Sequence, residues 1–312
     1  MAGLAALPLT GCGTAAPAAA PPAPSGAASS RPQGTPPGIR RAFADLEQTF
    51  DARLGVYAVD TGSGGFVAHR ADERFAYAST CKALLAGAHL DRYTLRQLGR
   101  RVRYGTGDLV PNSPVTEQHV DDGLTLRDLC DAAIRYSDNT AANLLFRDLG
   151  GPRGLQDALA ALGDRTTQCD RYETELSEAA PGDPRDTSTP RALAADLRAY
   201  ALGDVLGREK RAVLTDWLDR NTTGDALIRA GTPAGWTVGD KTGLGGYGTR
   251  NDIAVVRPPT SAPIVIAVLT RRDTQEAEPQ DALVAQAARL TFAALTEKVR
   301  DGSAADGPRA PR

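Results

Sequence analysis

The stretch Ser79-Thr80-Cys81-Lys82-Ala83-Leu84-Leu85-Ala86-Gly87-Ala88-His89-Leu90 separates two kinds of pattern in this 312-residue chain. Upstream of it, residues 37–50 place Ile39, Phe43, Leu46 and Phe50 at helical spacing, and residues 53–59 and 65–70 alternate as strands do. Downstream, as far as about residue 220, the pattern is mostly helical, broken by Gly, Pro and Asp clusters near 104–114, 150–153 and 181–190. Val-rich, turn-bounded strands are predicted over 236–241, 251–257 and 263–269, followed by an amphipathic helix over 280–300 and a polar tail, 301–312. Helices lying between two sets of strands predict an α/β (α+β) fold. One domain is built from both ends of the chain, 38–78 plus 230–300, and an all-helical domain, 79–229, is inserted into it. A cleft between two such parts is where a small-molecule site is expected.

Composition narrows the function. Hydrophobic residues make up 41% of the chain, enough for a full core, and the net charge of -2 gives no reason to expect nucleic acid or an anionic membrane as partner. The three histidines, His69, His89 and His119, and four cysteines without a C-x-x-C pair offer too few ligands for a catalytic metal, so none is expected, and no cofactor either. Residues 1–37 begin apolar and small, reach Leu9-Thr10-Gly11-Cys12, and continue as an Ala/Pro/Gly/Ser spacer. This reads as the end of an export signal. No Lys or Arg precedes the apolar stretch, so the true start is expected upstream. No run of eighteen apolar residues is present to span a membrane.

Only four of the 36 basic residues are lysines: Lys82, Lys210, Lys241 and Lys298. Lysine differs from arginine in that burial can move its pKa toward neutrality, so a lysine inside a motif is informative. Three short motifs hold two of them. Ser79 and Lys82 stand three apart, on one face if a helix begins there, with the hydroxyl at the helix's positive end. Ser137-Asp138-Asn139 falls in a helix-to-helix connection. Lys241-Thr242-Gly243 closes the strand that starts at Trp236. Each motif alone is equally an ordinary N-cap or a strand ending in a turn. Together, in this order and on fitting elements, they describe a serine nucleophile with a proton acceptor, a proton relay and a cationic strand edge for substrate.

The set resembles the class A serine β-lactamases and, more distantly, the penicillin-binding proteins. The resemblance runs from about residue 38 to 300 and includes Ser113-Pro114-Val115-Thr116-Glu117 and Asn139-Thr140-Ala141-Ala142-Asn143-Leu144-Leu145. It implies an antiparallel sheet flanked by the terminal helices, with Ser79 as nucleophile, Lys82 or Glu173 as its base, and Ser137 as proton relay. Arg171-Tyr172-Glu173-Thr174-Glu175-Leu176 matches the family's R-x-E-x-x-L, which opens an Ω-shaped loop, here 171–186. In the family its glutamate positions a deacylating water, and Arg171 with Asp186 ties the loop's ends; Glu175 is expected to be structural. Asn139, Lys241, Thr242, Gly243 and Leu244 match substrate-binding positions, the backbone N–H groups of Ser79 and Leu244 an oxyanion hole, and Arg250 the grip on the substrate carboxylate.

Departures from the pattern are visible. Ser177 stands where an asparagine usually holds the water, Asn112 where an aromatic often flanks the cleft, and Ala86 opposite Cys130, so no disulfide is expected there. Ala78 and Gly245 are not the cysteines that bridge in some carbapenem-hydrolysing members. Cys81 is expected to be buried filler. The Leu-Thr-Gly-Cys sequence resembles a lipobox, implying acylation of Cys12 and an exported bacterial protein, secreted or held at the cell surface, touching membrane only through that anchor. The expected partners are β-lactam small molecules, the expected state a monomer. A D-Ala-D-Ala peptidase, or a non-hydrolysing β-lactam sensor, would form the same ester but keep it; Glu173 argues against both.

Overall fold

The computed structural model describes residues 1–3 and 34–304. Cys12, the expected lipidation site, lies outside the described residues. Helix α1, Pro37–Phe50, has proline in its first turn, where no N–H partner is needed, and ends at Asp51 in the left-handed conformation. Strands β1 (Arg53–Asp60), β2 (Phe66–His69) and the short β3 (Phe75–Ala76) follow. A 3₁₀ turn, Ala78–Thr80, leads into α2, Cys81–Arg92. Beyond short β4 (Arg101–Val102) and β5 (Leu124–Thr125) come α3 (Leu126–Arg135), α4 (Asn139–Leu149) and α5 (Pro152–Ala161). Then come β6 (Thr187–Ser188), α6 (Pro190–Ala201), α7 (Arg208–Asp219) and the single turn α8 (Ile228–Gly231). The chain returns as β7 (Thr237–Leu244), β8 (Arg250–Arg257), β9 (Ile264–Arg271) and α9 (Asp281–Ala304).

The main sheet has the order β2-β1-β9-β8-β7, every pair antiparallel. Its centre joins the two ends of the sequence, because β1 pairs with β9 along its whole length. The period-2 alternation of a strand then divides the apolar residues between two layers. Val56, Ala254, Val256, Ile266 and Val268 pack under Phe43 and Leu46 of α1 and Leu283 and Phe292 of α9. Ile253, Val255, Val265 and Ala267 face the other way, toward the helical layer of α2, α3 and α6. A strand covered on both faces reads as a continuous apolar run, which is what 263–269 shows in the sequence. Helix α2 is buried from Cys81 through Leu90, the helix around which the helical layer is built.

One boundary differs from expectation. Lys241-Thr242-Gly243 does not close its strand: β7 continues to Leu244, because Gly243 still pairs with Asn251 and Leu244 with Arg250 before the hairpin turns. Gly243 does not end the strand but serves close approach: a Cβ there would meet the Tyr77 carbonyl at 2.9 Å and Thr80 Cγ2 at 3.1 Å. The motif thus runs along the 3₁₀ turn that carries Ser79.

Candidate active site

Ser79 sits in the 3₁₀ turn before α2, 7% exposed, following Ala78 with φ of 48°. Left-handed backbone at a non-glycine residue costs on the order of 1–3 kcal/mol and is held only by its surroundings. Ser137 repeats this at φ 56°, in the connection between α3 and α4. Left-handed backbone therefore occurs both next to Ser79 and at Ser137 itself.

Lys82, fully buried in the first turn of α2, links Ser137, Asn139 and Glu173. Its Nζ donates to Asn139 Oδ1 at 2.6 Å and to the Ser137 carbonyl at 2.8 Å, and contacts Glu173 Oε1 at 2.9 Å. Three acceptors meet the three protons of an ammonium. Asn139 is oriented without ambiguity, since its Nδ2 donates to the Pro111 carbonyl at 2.8 Å. Asp138, fully buried, caps α4 through Ala141 N and also accepts from Val115 N, Thr116 N and Thr116 Oγ1, all at 2.8–2.9 Å. Four donors on one carboxylate fix the connection that carries Ser137 and Asn139.

Glu173 enters from the loop 171–186, 3% exposed. Its Oε1 accepts from Ser79 Oγ at 3.0 Å, and its Oε2 from Ser177 Oγ at 3.2 Å. Its backbone is clamped on both sides by Asn143, which receives Glu173 N–H on Oδ1 and donates Nδ2 to the Glu173 carbonyl, each at 2.8 Å. The loop's ends are tied at Asp186, fully buried, which accepts from Arg171 Nε at 2.5 Å, from the N–H groups of Asp170 and Arg171 at 2.9 and 3.0 Å, and from the Tyr77 hydroxyl at 3.2 Å. Arg171 also pairs with Glu178. Glu175 is exposed.

From the strand side, Lys241 Nζ donates to Ser137 Oγ at 3.2 Å and to the Thr242 carbonyl at 2.8 Å. Ser137 Oγ therefore lies between two ammonium groups, with Lys82 Nζ 3.4 Å away. Burial, with Lys82 nearby, pushes Lys241 down from its usual value to about 7. Leu244 is 55% exposed at the strand's end. Arg250 is already engaged: Nε donates to Asp281 Oδ1 of α9 at 2.5 Å. Cys81 is buried in the core, and burial raises its thiol well above the usual range.

A family model for the Beta-lactamase enzyme family matches residues 38–295. A Beta-lactamase of Amycolatopsis lactamdurans is 60% identical over 266 residues, covering 85% of this chain and 88% of that protein. Beta-lactamase 1 of Streptomyces cacaoi is 54% identical over 305 residues, covering 92% of this chain and 93% of that protein. Among solved structures, the class A beta-lactamase from Clostridium kluyveri DSM 555 superposes with a TM-score of 0.82 at 51% identity, covering 83% of this chain and 99% of that one. The chain belongs to the β-lactamase enzyme family, class A.

In this β-lactamase, Ser79, Lys82, Ser137, Asn139, Glu173 and Lys241 form one connected polar cluster although they span more than 160 positions of the chain. Arg171, Asp186 and Ser177 stand behind Glu173. Ser177 meets the Glu173 carboxylate itself. Arg250 belongs to the rim, tied to a carboxylate that sequence reading did not consider. Asn143, Asp138 and Asp281 carry hydrogen bonds or ion pairs of the site and were not singled out from sequence. One signal was available: Asn139 and Asn143 lie one helical turn apart, on one face, and an asparagine inside a helix is unfavourable unless its amide finds partners.

Proposed function

We propose that this chain hydrolyses β-lactam antibiotics through an acyl-enzyme on Ser79, with Glu173 as the base of both stages. The observation that carries this reading is the shared oxygen Glu173 Oε1, within hydrogen-bond distance of both Ser79 Oγ and Lys82 Nζ. Glu173 accepts the Ser79 proton as Oγ attacks the lactam carbonyl carbon. Lys82, with its three protons directed at three acceptors, serves as the cation that stabilises the developing charge. The lactam C–N bond breaks, and the nitrogen takes its proton from Ser137 Oγ, which lies between Lys82 and Lys241 and is reprotonated from Lys82. The N–H groups of Ser79 and Leu244 receive the oxyanion. Glu173 returns its proton to Lys82 across their 2.9 Å contact, restoring the carboxylate and the ammonium. It then takes a proton from water as the hydroxide attacks the ester carbonyl, and hands that proton to Ser79 Oγ as the ester C–O bond breaks and the hydrolysed acid leaves.

Lys241, Thr242 and Arg250 bind the substrate carboxylate, and Asn139 and Gly243 shape the edge on which its amide lies. Arg250 must share its guanidinium with Asp281 to do so. The proposal includes action as a monomer, since one chain supplies every group of the site, and export with a lipid anchor on Cys12, which rests on the sequence alone.

The test is turnover of a chromogenic cephalosporin by wild type, Ser79→Ala and Glu173→Ala, with intact mass spectrometry. Multiple turnover by wild type, none by Ser79→Ala, and a trapped acyl adduct on Glu173→Ala are expected. A wild-type protein that gains one drug mass and stops would replace this reading with the peptidase or sensor.

A further inference from the structure

The segment between α7 and α8 carries a polar chain with no part in the function above. Asn221 is 3% exposed, and its Oδ1 receives the Thr223 N–H at 3.2 Å. A backbone N–H only donates, so the amide oxygen faces Thr223 and Nδ2 faces outward to Asp240 Oδ2, at 2.6 Å. Asp240 precedes Lys241 on β7, is fully buried, and is paired with Arg229 at 2.6 Å. The loop reaches it because residue 224 is glycine: a Cβ there would lie 2.0 Å from Asp240 Oδ2. At the other end, Thr223 Oγ1 stands 2.9 Å from Asn221 Oδ1 and 2.6 Å from Thr242 Oγ1.

Counting protons gives this chain two states. In one, Thr223 donates its hydroxyl proton to Asn221 and Thr242 donates to Thr223, leaving Thr242 to offer only lone pairs elsewhere. In the other, Thr223 donates to Thr242, which frees the Thr242 proton. Asn221 Oδ1 keeps the Thr223 N–H in both, so no buried group loses its last partner.

We propose that Thr223 is a positioning residue whose hydroxyl switches Thr242 from acceptor to donor when an anionic substrate binds, and so favours β-lactams bearing a free carboxylate. The inference rests on the reading that Thr242 contacts that carboxylate. A hydrogen bond to an ionised acceptor is roughly twice as strong as a neutral one, and a donor behind it strengthens it further. The Thr223 hydroxyl therefore contributes more with the anion bound than without it, and KM reads the difference.

The experiment compares a penicillin with its methyl ester on wild type, Thr223→Val, Thr223→Ser and Thr242→Val, with thermal unfolding of each protein. Valine keeps the shape and the N–H to Asn221 but removes the hydroxyl. For the acid, Thr223→Val is expected to raise KM about three- to tenfold with kcat within about twofold, and Thr223→Ser to restore it. For the ester, KM should not move. Equal KM increases for acid and ester, or none for the acid, overturn the relay. If Thr242→Val erases the preference for the acid while Thr223→Val leaves it, the relay alone fails. If Thr242→Val leaves the preference intact, the contact on which the inference rests is wrong.

Discussion

Replacing Asn143 with alanine tests whether Glu173 is held by its backbone. The Asn143 amide makes two hydrogen bonds of 2.8 Å to the N–H and carbonyl of Glu173, and both residues are at least 95% buried. Alanine leaves one buried donor and one buried acceptor without partners. Each costs about 1–3 kcal/mol, so the loss is about 2–6 kcal/mol, reduced toward the lower figure if water enters the space. For a folded unit of this size, about 2–4 °C of Tm goes with each kcal/mol, which sets the expected drop at about 4–24 °C by differential scanning calorimetry. The kinetic effect has a sharper signature. A misplacement of about 1 Å can cost on the order of 10²-fold in rate. On the proposed mechanism deacylation suffers, and acyl-enzyme should accumulate in the intact mass spectrum. Asn143 acts only through Glu173, so Asn143→Ala in a Glu173→Ala background should lower turnover no further. A variant that melts within about 1 °C of wild type and turns over normally would refute the reasoning; so would additive losses in the double variant.

Four further outcomes rest on the same geometry. Lys241, held near 7, loses its proton as pH rises through that value, so kcat/KM for carboxylate-bearing substrates should fall on an alkaline limb near pH 7; Lys241→Arg, which stays charged, should move the limb upward in a pH-rate profile. Because the unfolded lysine keeps its proton to about 10.5, the unfolded state binds more protons between about 7 and 10.5, and urea denaturation should show this residue's contribution to stability rising with pH across that window. Arg171→Leu strips the cation from fully buried Asp186 and should cost about 2–4 kcal/mol in urea denaturation, with earlier proteolytic cutting inside 171–186. Asp281→Asn releases the Arg250 guanidinium from a competing carboxylate, and KM for acidic substrates should fall about two- to fivefold.

What could be read from the sequence divides along a physical line. Ser79 with Lys82, and Ser137 with Asn139, sit on one local element each, so their spacing carries their geometry. Glu173 was legible only through the resemblance, because Arg171, Glu173 and Leu176 match the family's R-x-E-x-x-L. The sheet was legible in its strands, since 253–256 and 263–269 are apolar runs that a doubly covered sheet accommodates. Asn143 was legible only as a helix asparagine in need of partners, and Asp281 and Thr223 not at all as site residues. Their partners lie 30, 31 and 19 positions away, and no periodicity records a hydrogen bond that closes across a loop. Gly243 shows the opposite failure: its local reading, a strand ending in a turn, missed the pairing with Asn251 and the close approach to Tyr77.

The two buried lysines are not equivalent, and the difference bears on how substrate is held. Lys82 has a carboxylate in contact, Glu173 at 2.9 Å. Lys241 is equally buried, but its hydrogen bonds go to Ser137 Oγ and the Thr242 carbonyl, both neutral, and its carboxylate neighbours Asp240 and Asp252 act on it only at longer range. A buried cation without an opposite charge in contact is costly, and the Lys82 charge adds to the cost. The depressed affinity of Lys241 for its proton expresses that cost in the free enzyme. On the proposed function, a substrate carboxylate arriving beside it would supply the missing partner, raise its proton affinity and strengthen its hold on Ser137 Oγ. Binding of the anion and readiness of the proton relay are then one event. A β-lactam whose carboxylate is esterified should lose on both counts, in KM through the missing contact and in kcat through a less polarised Ser137. Equal kcat for acid and ester in the wild-type enzyme would separate the two and show that Lys241 only binds.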